Sequence, residues 1–381
     1  MKSESPKHAV CHLVSGDLWA GAEVMVFHLL KALSNINTLS VSAIVFNDGR
    51  LASELKNAGI ELTVIEESRY SFPVLVYKSY QVLRTKNVSI LHSHRRKENF
   101  IALVVAIFLR GVKLIHTQHG MPESSPANRL NLSSIISGIN FKLLSLFFHR
   151  NVVVSNEIRK LLIFQRGFHE QKTVAIHNGI PDTTFLSTNR NTGAQPFTIG
   201  SAGRLVKVKD FGLFIAISDL LRNYDQIKFL LAGDGPLYSE LSRKISESGL
   251  NNFTFSGNVD DMNSFYSKVD LFLNTSLHEG VPMSILEAMS YGKPVIAPRV
   301  GGIPEIIEDG VEGFLIDGRE PHKFADKCLF LSSTPDVYQR LADSAREKIA
   351  TCFSVSAMAQ KYYQTYLDTI SQQIQKRSRL L

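Results

Sequence analysis

Cysteine is scarce in this chain: three in 381 residues, Cys11, Cys328 and Cys352, with no CxxC pair and no metal-type spacing. An odd, dispersed set of this kind excludes a disulfide scaffold, suits a reducing compartment and gives no basis for a zinc site or a catalytic thiol. Long hydrophobic runs are missing too. The longest uncharged apolar stretch, Phe100–Leu109, is about half a bilayer span and reads as a buried helix, not an anchor. The opening Met1–Lys7 is polar, and the first apolar run, AVCHLV, is short and leads into a glycine-bearing loop, so no secretory leader is expected. There is no GxGxxG spacing, zinc finger, RNP-type or helix-turn-helix signature. That removes a dinucleotide fingerprint and nucleic acid from the readings of a basic chain.

The net charge of +7 is unevenly spread: residues 1–195 hold 22 Lys and Arg against 13 Asp and Glu, while 196–381 hold 20 against 22. The surplus lies wholly in the first half, where it invites anionic lipid or phosphate. Length suffices for two domains with proper cores, and an apolar content of 44% is that of a globular protein. Strand-like runs alternate with helical patterns: HAVCHLVS, VSAIVF, IELTVIE, VSILHSH and VKLIHTQHG first, then FTIGSAG, KFLLAGDG, FTFSGN and VDLFLNTS. Such alternation predicts an α/β fold of parallel sheets covered on both faces, with ligands at the carboxyl ends of the strands. The polar run Thr183–Gln195 reads as a linker between domains at 1–190 and 191–354, and 355–381 reads as a terminal helix beginning near Val355.

The loops at those strand ends carry the chemistry. After VDLFLNTS, Gly280 and Pro282 stop the strand and set up a helix from Met283 to Ser290, with Glu279 beside its start and Glu287 one to two turns in. Around Pro282, the backbone N–H groups near Val281, Met283 and Ser284 make that helix start a place for a phosphate or for hydroxyls. Side chains lean toward a helix's N-terminus, so Glu287 reaches over the same ligand. Two glutamates eight apart are more often a solvated helix face when met alone. Earlier, FTIGSAG ends in Arg204, with Lys209 five residues on. Two cations at a strand end suit a departing diphosphate; a surface basic pair is the plainer account.

In the first half three loops stand out. SGDLWAGAE places Gly21 at a helix start, where backbone can approach a phosphate, or where a tight turn is all that is needed. LHSHRRKEN holds His92 and His94 on one strand face, followed by Arg95; no third ligand for a metal is apparent, and a solvated basic loop also accounts for it. HTQHG puts His119 just before a glycine at a strand terminus. Downstream, the Leu- and Phe-rich segment 130–150 with Lys142 is either a core helix or an interfacial one.

The stretch EGVPMSILE followed by AMSYGKPVIA, together with GRLVKVKD and the weaker GAE, HSH and HTQHG elements, resembles the retaining GT-B glycosyltransferases of family four. The resemblance implies two Rossmann-like domains facing across a cleft, the first for the acceptor and the second for a nucleotide sugar, with a C-terminal helix crossing back to the first domain. It further implies that Arg204 and Lys209 stabilise the leaving diphosphate in place of a metal, and that Glu279 binds sugar hydroxyls and Glu287 the ribose. In the same way it gives His119 a sugar contact, the Gly257–Val259 turn with Asn258 the base, and His92, His94 and Arg95 the acceptor. No cofactor is implied beyond the donor itself. The expected partners are a nucleotide sugar, a glycan or lipid-linked acceptor in cell-surface polysaccharide assembly and the anionic inner face of the cytoplasmic membrane. A nucleotide-sugar epimerase and a non-catalytic sugar-nucleotide module are the rival functions, both disfavoured by the intact cation and carboxylate pairs.

Overall fold

The computed structural model describes residues 8–121, 132–181, 196–259 and 261–378, so the expected linker at 183–195 lies outside the described residues. The chain forms two compact units, one of Met1–Gly179 with Val355–Leu381 and one of Ile180–Ser354.

The first unit is built on seven parallel strands: β1 (His8–Val14), β2 (Leu39–Val45), β3 (Glu61–Val64), β4 (Ile90–Ser93), β5 (Lys113–Gln118), β6 (Arg150–Val153) and β7 (Thr173–Ala175). Their spatial order is β3-β2-β1-β4-β5-β6-β7. Crossover helices α1 (Gly21–Ser34), α2 (Arg50–Asn57), α3 (Phe72–Arg84), α4 (Arg96–Phe108), α5 (Leu132–Phe147) and α6 (Asn156–Arg166) link them. Strands covered on both faces need continuous apolar runs, and Val10, Cys11, Leu13, Ile90 and Leu91 are all fully buried.

Register decides which polar side chains share a face. His12 pairs with His92 across β1 and β4, and His92 with Ile115 across β4 and β5. Residues two apart on a strand point the same way. His12, His92, His94, Thr117 and His119 therefore fall on one face of the sheet. A polar stripe there needs a partner that offers hydrogen bonds. The last helix supplies it: of the residues numbered 355–378, Met358, Ala359, Tyr362, Thr365, Tyr366 and Thr369 are buried, a stripe at helical spacing. Thr38 and Tyr363 also share a hydrogen bond of 2.8 Å.

The second unit has six parallel strands, β8 (Phe197–Ala202), β9 (Ile227–Ala232), β10 (Phe253–Gly257), β11 (Leu271–Leu273), β12 (Val295–Pro298) and β13 (Gly313–Ile316), in the order β10-β9-β8-β11-β12-β13. Its helices are α7 (Phe211–Leu220), α8 (Tyr238–Ser248), α9 (Met262–Lys268), α10 (Met283–Ser290), α11 (Pro321–Ser333) and α12 (Pro335–Cys352), and α13 (Val355–Ser378) returns to the first unit. Ile199, Phe214, Phe229, Leu231 and Phe324 fill its core. The two ends of this unit are tied: the Ile180 N–H donates to the Phe353 carbonyl at 2.8 Å. The stretch GGIPEIIEDGVEG before β13 holds a 3-10 turn, Ile303–Glu305. Gly310 sits at φ +82°, and the Glu312 carboxylate takes the Glu308 N–H at 2.7 Å, so the backbone turns toward β13. Among the described residues no helix is long and apolar enough to cross a membrane.

Candidate active site

In the second unit the winding runs outward from β8 through β9 to β10, and from β11 through β12 to β13 on the other side. Loops leaving β8 and β11 diverge, and such a switch point is where open parallel sheets take ligands. The expected cations and carboxylate sit there. Arg204 is exposed just after β8, and Lys209 closes the 3-10 turn Lys207–Lys209. The Lys209 ammonium donates to Glu279 Oε1 at 2.5 Å, and the Ser276 hydroxyl donates to the same oxygen at 2.6 Å. The two loops are stitched by backbone as well: Leu277 N–H donates to the Val208 carbonyl at 2.7 Å, and the Thr275 hydroxyl to the Lys209 carbonyl at 3.0 Å.

Arg319, just past β13, braces this arrangement by donating to the carbonyls of Ser276 at 2.9 Å and Thr275 at 2.6 Å and to the Asp210 carboxylate. Asp210 is held in the left-handed region, φ 44°. Behind Glu279, Gly301 has φ +60°, and a Cβ there would lie 2.0 Å from the Glu279 carbonyl oxygen. That carbonyl accepts from the Gly302 N–H at 3.1 Å, so the glycine permits the contact that fixes the Glu279 backbone.

Helix α10 starts at Met283 with Pro282 as its cap, as expected, and presents its first-turn N–H groups beside Glu279 in sequence. Glu287 Oε2 accepts from the Tyr266 hydroxyl at 2.9 Å. Burial raises the Glu287 carboxyl from the ordinary 4.5 to about 7, and the Tyr266 hydrogen bond only partly offsets that. Asn258 and Val259 follow β10, Asn258 exposed and Val259 half-buried.

The first unit reverses its winding between β1 and β4. Gly21 is exposed at the start of α1. The basic run is not a solvated loop: Arg95 donates to Asp17 at 2.8 Å and to the buried Glu23, and Lys97 pairs with Glu67 and reaches Ser15 at 3.2 Å. His92 and His94 lie on the strand face that α13 covers. His92 is wholly buried, its Nδ1 2.7 Å from the Tyr366 hydroxyl and its Nε2 2.8 Å from that of Thr117. His94 joins His12 at 2.9 Å and His119 at 3.1 Å, and is buried too. The shared strand face that brings the two histidines together also tucks them under α13. Burial first of all lowers the ring pKa of His12 and His119 to about 3 and those of His92 and His94 well below the ordinary 6.5, so all four rings are neutral at physiological pH.

The third nitrogen donor that the HSH motif lacked is His12, eighty residues upstream in round terms and visible only through strand pairing. The ring nitrogens of His12, His92 and His94 lie within 4.8 Å of one another. Their rings, however, stack at 16° for His92 with His94 and 19° for His12 with His94. In-plane lone pairs of stacked rings do not converge on one ion, and these nitrogens already face His12 or His94, Tyr366, Thr117 or His119, so the set fits a hydrogen-bonded network better than a metal. Ser276, Arg319 and Tyr266 were likewise missed. Ser276 was within reach, three residues before Glu279 in a strand-end loop, whereas Arg319 follows a strand two places removed in the sheet.

Two family models match the chain: Glycosyltransferase Family 4 over residues 19–184 and Glycosyl transferases group 1 over 196–334. The N-acetyl-alpha-D-glucosaminyl L-malate synthase of Bacillus anthracis is 24% identical over 81% of this chain and 84% of its own. The UDP-Gal:alpha-D-GlcNAc-diphosphoundecaprenol alpha-1,3-galactosyltransferase of Escherichia coli is 23% identical over 97% and 99%. The crystal structure of Anabaena HepE in complex with UDP-glucose superposes with a TM-score of 0.80 at 22% identity, covering 94% of this chain and 99% of that one. The shared architecture is GT-B.

Glu287 yields a stability test. Its carboxyl keeps its proton in the folded chain at pH values where the unfolded chain, at 4.5, has lost it, so its contribution to stability falls as pH rises from 4.5 to about 7 and is flat above. Glu287→Gln keeps an acceptor for Tyr266 and removes the titration. Melting temperatures measured across that window should shift in the variant's favour, relative to wild type, by more than about 2 °C toward neutral pH. A difference that stays constant with pH would mean that Glu287 is not held protonated.

Proposed function

The chain belongs to the glycosyltransferases of group 1 and family 4, and from that membership we propose that it transfers a sugar from a nucleotide-diphosphate donor to a hydroxyl of a glycan or lipid-linked acceptor, with retention and without a metal. The observation that carries the reading is the meeting of Lys209 with Glu279 at 2.5 Å at the β8/β11 switch point, next to exposed Arg204. The bond from the anomeric carbon to the diphosphate oxygen breaks as the acceptor oxygen bonds to the same face of that carbon. The acceptor proton passes to the departing phosphate oxygen. Arg204 and Lys209 neutralise the charge that grows there, with the N–H groups of Met283 and Ser284 adding to them. Glu279 accepts from sugar hydroxyls, Glu287 from the ribose, and His119 bonds a sugar oxygen. Asn258 and Val259 meet the base, and Gly21 lets backbone approach the phosphate. The donor complex of HepE and the diphosphoundecaprenol-linked acceptor in the name of the E. coli relative support this choice of substrates.

A lipid-linked acceptor calls for work at a membrane face, here the inner face of the cytoplasmic membrane. In α5, Phe141, Leu144 and Phe148 beyond its end are buried, while Ile135, Ile139, Leu146, Phe147 and Lys142 are exposed. The helix thus packs on the core along one side and presents a second apolar side with a cation on it. Phe108 is exposed on α4, which packs beside α5, and that surface suits the boundary of an anionic bilayer.

Three outcomes test this function. Glu279→Gln should lower kcat by about a hundredfold while nucleotide affinity is kept, because the substitution turns one of two carboxylate acceptors into an amide donor, weakens hydroxyl acceptance at the sugar and removes the charge that holds Lys209. Equal loss of nucleotide affinity would displace Glu279 from the sugar. Transfer should continue in EDTA; activity lost to the chelator and restored by magnesium or manganese would overturn the cationic roles of Arg204 and Lys209. In cosedimentation, wild type should bind vesicles containing anionic lipid and be released by salt, and Leu146→Glu/Phe147→Glu should not bind. Binding indifferent to lipid charge or to this variant would place the acceptor in solution.

A further inference from the structure

Seven side chains in the first unit form one unbranched line. Tyr362 OH lies 3.1 Å from Thr117 Oγ1, which lies 2.8 Å from His92 Nε2. His92 Nδ1 is 2.7 Å from Tyr366 OH, and Tyr366 OH is 3.2 Å from His12 Nε2. His12 Nδ1 is 2.9 Å from His94 Nε2, and His94 Nδ1 is 3.1 Å from His119 Nε2. The line stops at His119 Nδ1, a buried atom with no hydrogen-bond partner among the described residues.

Each neutral imidazole and each hydroxyl carries one proton and each contact takes one, so a single proton is left over, at one end or on a hydroxyl that accepts from both sides. Thr117 and Tyr366 are buried with no partner outside the line among the described residues, so a proton spared on either would be orphaned in the core. There are two uniform directions. If protons point toward the helix, every histidine is the Nε2–H tautomer and the spare proton is the hydroxyl of Tyr362. That residue is wholly buried and its oxygen meets only Thr117 among the described residues, so a donor would be orphaned in the core. If protons point the other way, Tyr362 donates to Thr117, Thr117 to His92, His92 to Tyr366, Tyr366 to His12, His12 to His94 and His94 to His119. All four histidines are then Nδ1–H tautomers, and the spare proton sits on His119 Nδ1. His119 lies just past the carboxyl end of β5, where a ligand can take that bond, whereas Tyr362, wholly buried, meets only Thr117 among the described residues.

We infer that Tyr362, Thr117, Tyr366, His92, His12 and His94 are positioning residues that fix His119 as an Nδ1–H tautomer, making it a neutral hydrogen-bond donor to its ligand. The inference rests on the proposed function for the identity of that ligand, an oxygen of the donor sugar, but not for the tautomer itself. His119 serves as a donor to a lone pair and does not take a proton in the reaction. The helix that follows the nucleotide-sugar unit in sequence therefore sets the hydrogen-bonding sense of a residue on the sheet of the first.

The test is nitrogen NMR of the full chain with 15N-labelled histidine, in which pyrrole-like and pyridine-like ring nitrogens are distinguished by shift. His12, His92, His94 and His119 should each show a protonated Nδ1 and a bare Nε2. Nε2–H at His119, or an averaged mixture in wild type, would overturn the inference. Tyr366→Phe, close in volume, removes the hydroxyl that drives His12 and should turn the His119 signature into a mixture and lower kcat about tenfold. Thr117→Ser, which keeps a hydroxyl, should leave both as in wild type. A His119 signature unchanged in Tyr366→Phe would remove Tyr366 from the relay. Should the tautomers be as stated while His119→Ala turns over normally, the relay stands and the sugar contact of His119 falls.

Discussion

Both sheets obey one constraint: parallel strands joined by crossover helices can be wound outward in two directions from the middle, and where the directions part, two loops separate. In the first unit that parting lies between β1 and β4, and in the second between β8 and β11. Every charged contact of interest follows from it. Arg95 meets Asp17 and Glu23 across the first, and Lys209 meets Glu279 across the second. Neither pair is close in sequence, and neither would exist if the winding continued in one direction.

The second unit shows how such a meeting is held. A lysine and a glutamate at this distance bring little stability by themselves where water reaches them. What places them is neutral: the backbone bond from Leu277 to Val208, the threonine hydroxyl on the Lys209 carbonyl, and the pressure of Gly301 against Glu279. Arg319 closes the frame through two carbonyls. A molecule bound at this switch point would find Lys209 and Glu279 already ordered, and little side-chain entropy would remain to be lost on binding.

Much of this was legible in the sequence, because its signals are local. Alternating apolar runs gave two parallel sheets, Pro282 placed the start of α10 at Met283, and Arg204, Lys209, Glu279 and Glu287 stand out as charges at strand ends or a helix start. What stayed hidden depends on pairing between distant strands. His12 reads as one residue in an apolar run, and only the register that sets it beside His92 makes it part of anything. Tyr362 and Tyr366 read as core positions of an amphipathic helix, which they are, and their hydroxyls gain meaning only from the stripe beneath. The HSH motif is a related case: its rings do share a face, and the motif alone does not show that α13 covers that face. Helix α5 could not be assigned from composition, since both its sides are apolar and burial alone distinguishes them.

The tie between Ile180 and Phe353 means that the second unit starts and ends at one point. A body whose two ends adjoin can be completed as a loop within another, and the first unit is interrupted in just that way. During synthesis the strands of the first sheet emerge early, with a row of buried-to-be imidazoles still uncovered. The second unit then emerges whole, and only afterward does the helix bearing Tyr362 and Tyr366 leave the ribosome. Until it docks, the histidines face water and are free to ionise and to exchange tautomers. Vectorial folding therefore makes the second unit first and the proton order of the other sheet last, so that a chain paused between the two would hold a finished second unit and an unfinished histidine line.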